Sequence, residues 1–517
     1  MPFFIPLALL FIALALCCVR HMHFFQLNSY KFAEHKVWIK RNITSLAILA
    51  ELSLLSLIAL LLHGIAADVV LGVILVIYAI LARPKSKRSS KKPLVYTPRV
   101  IRMFITETLI YAISAAVFCF FLPINYLPLY AAAALMVCPH VCLLANLINA
   151  PIESAIRSRF TKEAVSMLRA HPSLRVVGIT GSYGKTSTKY YLSTILSEKF
   201  DVLMTPGSFN TPMGVVKTVR ESLRPTHEVF ICEMGAKYVG DIKELCEIAR
   251  PEIGIISSIG AQHLDTVGSL ENIVSTKLEL YDHLSSVGGV AVLNGDCRLI
   301  RENVSSPDGV VFYGKDGDVR VSDVSADERG SSFRIDTKDG TSFTLTVSIL
   351  GEHNVLNVAA AVAVALELGM TPDEIKRAAR KIKCAPHRLE IKPTGRDVII
   401  DDAYNANPAG TKAALASLAL FTSHCKIIVT PGMVELGDES DSFNKALGAD
   451  AAKVCDYIVL VGKFGSEIIR AGALEAGFPK EKIFVFERVE EAINAARAIA
   501  DDRQKVILLE NDLPDNY

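Results

Sequence analysis

VVGITGSYGKTSTKYYLSTIL, residues 176–196, decides how the rest of the chain is read. It opens on a β-branched run, turns through Gly-Ser-Tyr-Gly and continues from Lys185 with helical spacing, so a strand, a tight turn and a helix are predicted in that order. The backbone N–H groups of such a turn, with the free N–H groups at the helix start, converge on one spot and favour an anion there. Gly181, Ser182 and Gly184 would form the cradle, Lys185 would reach the outer phosphates of a nucleotide, and Thr186 or Ser187 would hold Mg²⁺. The strict pattern G-x-x-x-x-G-K-[ST] is not met, because Ile179 stands at its first glycine; what is present is T-G-x-x-G-K-T-S.

Upstream of this loop the chain changes character. Residues 1–150 are mostly apolar runs, whereas 151–517 read as ordinary soluble α/β sequence. A membrane-crossing helix needs about 20 apolar residues, and five runs approach that: 3–19, 44–62, 66–82, 103–122 and 127–148. The first has no basic stretch before it and no small-residue cleavage site after it, which favours a span over a cleaved leader. Arg20, Lys31, Lys36, Lys40 and Arg41 follow the first run, and residues 83–102 carry eight Lys/Arg and no acid. The other two connections carry none, so the positive-inside rule places both basic loops in the cytoplasm. Five spans then put the amino terminus outside and everything after residue 148 inside, where ATP is. Glu51, inside the second run, is expected to pack between helices or to meet a ligand. The basic loop suits anionic membrane lipid. With 55 basic against 54 acidic residues, no overall charge points to nucleic acid. Eleven cysteines without a C-x-x-C pair read as buried or lipid-facing thiols.

Downstream motifs extend the reading. GSFNTPMGV (207–215), ICEMGAKYVGDI (231–242), SSIGAQHLDTVGSLENIVSTKLEL (257–280), LGEHNVLNVAAAVAVALELG (350–369), APHRLE, DDAYNANPAG (to residue 410) and PGMVELG (431–437) follow the phosphate loop in this order. Together with T-G-x-x-G-K-T they resemble the Mur ligase family over roughly 175–440, and the YNANP and EMGA wording is most similar to the branch that adds D-alanyl-D-alanine to a muramoyl tripeptide. The resemblance implies roles for particular residues. Glu233, His263 and Lys277, the last as a carbamate, would join Thr186 in holding two Mg²⁺ ions. Asn354 and Asn357, one helical turn apart, would face adenine; Arg388 would meet phosphate and Asp402 ribose; Asn210 and Thr211 would lie on the substrate side. Lys185, His263, Lys277 and Arg388 would carry the catalysis. The implied chemistry is phosphoryl transfer from ATP to a carboxylate, giving an acyl phosphate that an amine then attacks.

The apolar runs predict an α-helical membrane domain (1–150), and the resemblance implies two α/β domains after it: a central phosphate-loop ATPase domain (151–385), in which the alternating stretch 305–350 with its Asp-Gly turns reads as a small antiparallel insertion, and a C-terminal Rossmann-like domain (386–517). Two departures stand out. Membrane runs occupy the place of the family's UDP-binding domain, and Glu510-Asn511-Asp512 stands where the D-alanyl-D-alanine-adding branch has a Lys-Gly-Ser-type loop. The first departure suggests that the acceptor is a small or lipid-linked muropeptide-type acid, joined to an amino acid or dipeptide amine at the cytoplasmic membrane. A ligase for another polymer, such as poly-γ-glutamate, and an ATP-driven transporter are the alternatives.

Overall fold

The computed structural model describes residues 4–28, 30–62, 64–83, 93–260, 269–304, 308–404, 406–434, 439–462 and 465–511, without the side chains at 33, 34, 37, 41 and 43–45. Two compact units divide the described residues, one up to residue 159 and one from residue 160 to residue 511.

The first unit is helical: α1 (Phe4–Leu27), α2 (Phe32–Arg41), α3 (Ile43–Leu55), α4 (Ile65–Ala82), α5 (Pro98–Phe121) and α6 (Leu127–Arg169). Leu10, Ala13, Leu14 and Cys17 of α1 pack with Leu71, Leu75 and Tyr78 of α4 and with Ala131, Leu135 and Cys138 of α6. The outer faces stay apolar. Ile101, Ile105, Leu109, Ile113 and Val117 form an exposed apolar stripe at four-residue spacing on α5.

Four helices among the described residues are long and apolar enough to cross a membrane: Phe4–Leu27, Ile65–Ala82, Pro98–Phe121 and Ile124–Arg169. The second expected span differs. It is a 13-residue α-helix that tightens into a 3₁₀ stretch at Ser56–Leu61, where Ser56 Oγ bonds the Ser53 and Pro128 carbonyls. Glu51 on it is exposed. Among the described residues, the acid buried in this unit is instead Glu107, 2% exposed, whose place in a mixed apolar and threonine run gave no signal. The helix expected after the last span is continuous with it in the single 43-residue α6, which contains Pro139 and Pro151.

In the second unit, β1 (Arg175–Thr180), β2 (Val202–Met204), β3 (Val229–Glu233), β4 (Ile253–Ile256), β5 (Val290–Asn294), β6 (Val310–Gly314), β7 (Val319–Asp327), β8 (Gly330–Thr337) and β9 (Ser342–Val347) form one sheet of order β2-β3-β1-β4-β5-β6-β7-β8-β9. Strands β2 to β7 run parallel and the last two pairings are antiparallel. The expected insertion is therefore a pair of hairpins added to the edge of the main sheet, and its first strand joins in parallel. Alternation along β1 feeds both faces. Val177 and Ile179 meet α7 (Lys185–Leu196) and the alanine-rich α12 (Glu352–Glu367), while Val176 meets the helices that include α8 (Pro212–Ser222), α9 (Asp241–Ala249), α10 (Leu270–Val287) and α11 (Arg298–Asn303).

A second sheet holds β10 (Glu390–Thr394), β11 (Asp397–Asp402), β12 (Cys425–Thr430), β13 (Tyr457–Val461), β14 (Ile483–Phe486) and β15 (Lys505–Glu510) in the order β10-β11-β15-β12-β13-β14. All pairings are parallel except the β10–β11 hairpin, whose Pro- and Lys-bearing first strand gave no strand signal.

Candidate active site

The two sheets of the second unit aim the carboxyl ends of their central strands at one cleft of about 300 Å³, the usual place for ligands in open α/β sheets. Its floor is the turn between β1 and α7. Two glycines there are required by shape. Gly181 has φ +144°, and a Cβ on it would stand 2.2 Å from Ser257 Oγ; Gly184 has φ +83°, and its Cβ would stand 2.5 Å from Asn357 Oδ1. The Ser182 N–H donates to the Ser258 carbonyl at 2.7 Å, which ties the turn to the end of β4. Lys185 folds back on its own loop, donating to the carbonyls of Gly181 and Ser182. Burial pulls its pKa down to about 8; the charge of Glu233 opposes that shift and the charge of Arg388 adds to it.

Glu233 closes β3 at 1% exposure. Its Oε1 accepts from Thr186 Oγ1 at 3.0 Å and from Asn210 Nδ2 at 3.2 Å. Lys189 Nζ lies 3.0 Å from Oε2, itself fully buried and also donating to the Gly207 carbonyl. The alignment leaves Oε2 without a formal hydrogen bond. A buried carboxylate with an unspent lone pair beside a threonine hydroxyl is a donor set that fits a hard divalent cation such as Mg²⁺.

Asn210 and Ser208 reach the cleft, whereas Thr211 caps α8, its Oγ1 accepting from the Gly214 N–H. Asn354 and Asn357 line the cleft, but most of their amide capacity goes into the protein. Asn354 Oδ1 accepts from Tyr191 OH and from Asn357 Nδ2, Asn354 Nδ2 donates to the Leu350 carbonyl, and Asn357 Oδ1 accepts from Thr188 Oγ1. They bolt α12 to α7 beneath the turn. Lys277, 6% exposed on α10, is not among the lining residues; burial first, and the charge of Lys185 second, lower its pKa to about 7. His263 lies outside the described residues, as do Asn405 and residues 435–437 of the later motifs.

The other wall comes from the second sheet and the segment leading to it. Arg388 sits between His387 and Leu389, which have φ of +59° and +49°, a zigzag few side chains adopt without surrounding constraint. The constraint is visible: His387 Nδ1 bonds Asp401 at 2.8 Å, and the Leu389 N–H donates to Asp402 Oδ1 at 3.1 Å. The Arg388 guanidinium lies 4.2 Å over the Tyr404 ring, and Tyr404 OH bonds Ser208 Oγ at 2.5 Å, joining the two walls. Burial raises the Asp402 carboxyl to about 6. Lys189, Ser208, His353, Tyr404 and Asn407 were not singled out as site residues from sequence, and Glu510 was marked only as standing in place of the branch's Lys-Gly-Ser-type loop. Only Lys189 carried a usable signal, a lysine three residues after Thr186 on a helix face otherwise set to be buried.

Residues 179–365 match the Mur ligase middle domain, and residues 387–510 match the Mur ligase, glutamate ligase domain. The UDP-N-acetylmuramoyl-tripeptide–D-alanyl-D-alanine ligase of Bacillus subtilis is 33% identical over 326 residues, 62% of this chain and 70% of the relative. That of Escherichia coli is 31% identical over 324 residues, 61% and 71% of the two chains. The chain belongs to the Mur ligase family. Among solved structures, MurF from Acinetobacter baumannii is 30% identical with a TM-score of 0.60, covering 69% of this chain and 77% of that one. MurF ligase from Thermotoga maritima, solved in complex with ADP, is 28% identical with a TM-score of 0.60 and covers 69% and 80%. This Mur ligase is thus an ATP-dependent, ADP-forming amide ligase with MurF homologues, which supports a peptide ligase of peptidoglycan synthesis over an ATP-driven transporter. Its helical first unit lies outside the matched residues.

Proposed function

We propose that this Mur ligase activates a muropeptide-type carboxylate as an acyl phosphate and couples it to a D-alanyl-D-alanine-type amine, with a lipid-linked acceptor presented at the inner face of the cell membrane. The observation that carries the reading is the convergence of Lys185, Arg388 and Glu233 on one cleft between two sheets.

The turn N–H groups and Lys185 bind the phosphates, and Lys185 leaves its carbonyl partners to do so. Arg388, fixed by its backbone and by Tyr404, neutralises charge on the transferring group. Glu233 and Thr186 would hold Mg²⁺, with His263 and a carbamate on Lys277 completing a two-ion set; bound there, the metal neutralises phosphate charge and orients the phosphate and acyl oxygens. Lys189 keeps Glu233 aimed at that position. A buried, readily neutralised amine is the form that combines with CO₂, which favours the carbamate at Lys277; ¹³C-bicarbonate would give a carbamate NMR signal that Lys277→Ala abolishes. Asp402 would meet ribose. Asn357 Nδ2 has one hydrogen left for adenine, and Asn210 faces the acceptor side.

Four helices able to span, plus the Ile43–Leu61 segment, support a five-span anchor with the ligase unit in the cytoplasm. These helices stand where the family has a UDP-binding domain, which supports a lipid carrier in place of UDP. Supplying the full-length protein with UDP-linked and matching polyprenyl-linked acceptors tests this. Faster turnover of the lipid form is expected; equal or better turnover of the UDP form removes the lipid part of the proposal. Failure to trap an acyl phosphate with hydroxylamine removes the rest.

A further inference from the structure

Glu510 ends β15 beside Asp402, its register partner at the end of β11. It is 1% exposed and lines the cleft. The next residue, Asn511, has φ +69° and ties this strand end on two sides: its Oδ1 accepts from the Ala406 N–H at 3.3 Å, and its Nδ2 donates to the Gly432 carbonyl at 2.6 Å. Glu510 Oε1 accepts from Thr411 Oγ1 at 2.8 Å. Its Oε2 is buried, and no N–H or hydroxyl among the described residues donates to it. What stands beside it is the Asp402 carboxyl, with which it shares a side-chain hydrogen bond. Two carboxyl groups can share such a bond only through a proton that one of them carries. The surroundings decide which. Asp402 Oδ1 accepts from the Leu389 N–H at 3.1 Å, and the charge of Arg388 acts on the same carboxyl; both favour its anion. Glu510 has only the Thr411 hydroxyl, while burial first and the charge of Asp402 second push its carboxyl well above the ordinary range. At neutral pH the proton therefore sits on Glu510 and the charge on Asp402.

We infer that Glu510 is a positioning residue: as a neutral acid it donates a hydrogen bond to the Asp402 carboxylate, and so fixes both the oxygen that meets the nucleotide and the turn that presents Arg388. This inference rests on the nucleotide reading of the cleft. The chain of bonds runs from the Thr411 hydroxyl to Glu510, from Glu510 to Asp402, and from the Leu389 N–H to Asp402, ending one residue from Arg388. Each link is buried or lines the cleft, so water does not compete for it. Without the Glu510 donor, Asp402 would keep the Leu389 N–H but lose the contact that sets the tilt of its carboxylate. The left-handed turn at His387 and Leu389 would then lose part of the constraint that holds Arg388.

Glu510→Gln in the full-length protein keeps a donor toward Asp402 and an acceptor toward Thr411, whereas Glu510→Met keeps the approximate shape and removes both. Two readouts are taken at neutral pH: the affinity for a non-hydrolysable ATP analogue with Mg²⁺, by calorimetry, and the infrared difference spectrum of wild type minus Glu510→Gln in ester-free detergent. The expected spectrum holds the carbonyl stretch of a protonated carboxyl in wild type that Glu510→Gln removes. The expected affinity is within about threefold of wild type for Glu510→Gln and weaker by roughly tenfold for Glu510→Met. A wild type without that band, or a band that persists in Glu510→Gln, would overturn the inference. So would Glu510→Gln binding as weakly as Glu510→Met, or Glu510→Met binding as tightly as wild type. Should Glu510→Met not fold, as read by pulse proteolysis, the band and the Glu510→Gln affinity still decide. Neither readout uses an acid or an amine, so failure to trap an acyl phosphate would overturn the ligase mechanism alone. A wild type that binds no ATP analogue would overturn the nucleotide reading and this inference with it.

Discussion

Lys189 and Glu233 are two charges held at 0% and 1% exposure, 3.0 Å apart. Removing one member of such a pair strands the other in a medium that solvates it poorly, at a cost of about 3–5 kcal/mol. Lys189→Met is therefore expected to destabilise the phosphate-loop sheet by about that amount, read by urea-dependent pulse proteolysis, with Lys189→Met/Glu233→Gln recovering most of it; additive losses would mean that the pair is not coupled. Lys185 carries a different burden. Its ammonium is spent only on its own loop carbonyls, so Lys185→Ala should lower turnover by roughly 10²–10³-fold and leave membrane insertion intact. Loss of insertion would show that the loop is a structural feature. Lys185, Glu233 and Arg388 were legible in the sequence because a turn, a strand end and a fork-shaped cation each have a local signature. The role of Tyr404 was not, because nothing in DDAYNANPAG says that its ring meets Arg388 and its hydroxyl Ser208, and Glu510 was marked only as a departure from the branch's Lys-Gly-Ser-type loop.

At the scale of elements, the pairing of β11 with β15 sets Asp402 against Glu510. Both carboxyls have folded pKa values raised above their unfolded ones, by burial before any neighbouring charge. The sign follows: their stabilising contribution is complete below the ordinary carboxylate range near 4 and is lost as pH rises through about 6 for Asp402. Arg388 opposes the loss and Asp401 adds to it. Amides of Lys505–Glu510 should accordingly exchange less slowly, after correction for intrinsic rates, at pH 7.5 than at pH 5, and Glu510→Gln should flatten the difference; the same slope in that variant would contradict the account. The turn between β1 and α7 makes a second test. At Gly184 an alanine needs φ +83° and meets Asn357, so Gly184→Ala should cost about 1–2 kcal/mol from backbone strain alone and weaken nucleotide binding measured by fluorescence. Strands such as VIIDD and YIVLVG were readable from their β-branched runs, now β11 and β13. The hairpins β7–β9 were readable as antiparallel, but not as extensions of the main sheet, because edge pairing is decided by a distant partner.

At the scale of the molecule, the chain pairs an apolar helical unit with a nucleotide-handling α/β unit. In the proposed membrane anchor the Ile43–Leu61 segment decides sidedness: with it there would be five crossings, without it four. Basic residues 20–41 favour five, so an amino-terminal epitope on intact cells should be reached by an impermeant antibody; a shielded tag beside an active ligase unit would exclude that topology. By itself the sequence determined the division into apolar and soluble parts, the strand–turn–helix that cradles phosphate, the order of the family motifs and most strands, since each depends on composition, periodicity or turn chemistry within a short window. Tertiary structure alone decided that Lys189 neutralises Glu233, that Asn354 and Asn357 brace two helices, and that Asp402 and Glu510, at the ends of β11 and β15, line the same cleft as a phosphate loop more than 200 residues away. These are through-space electrostatic facts, and they exist only once crossover connections bring distant strand ends to one edge.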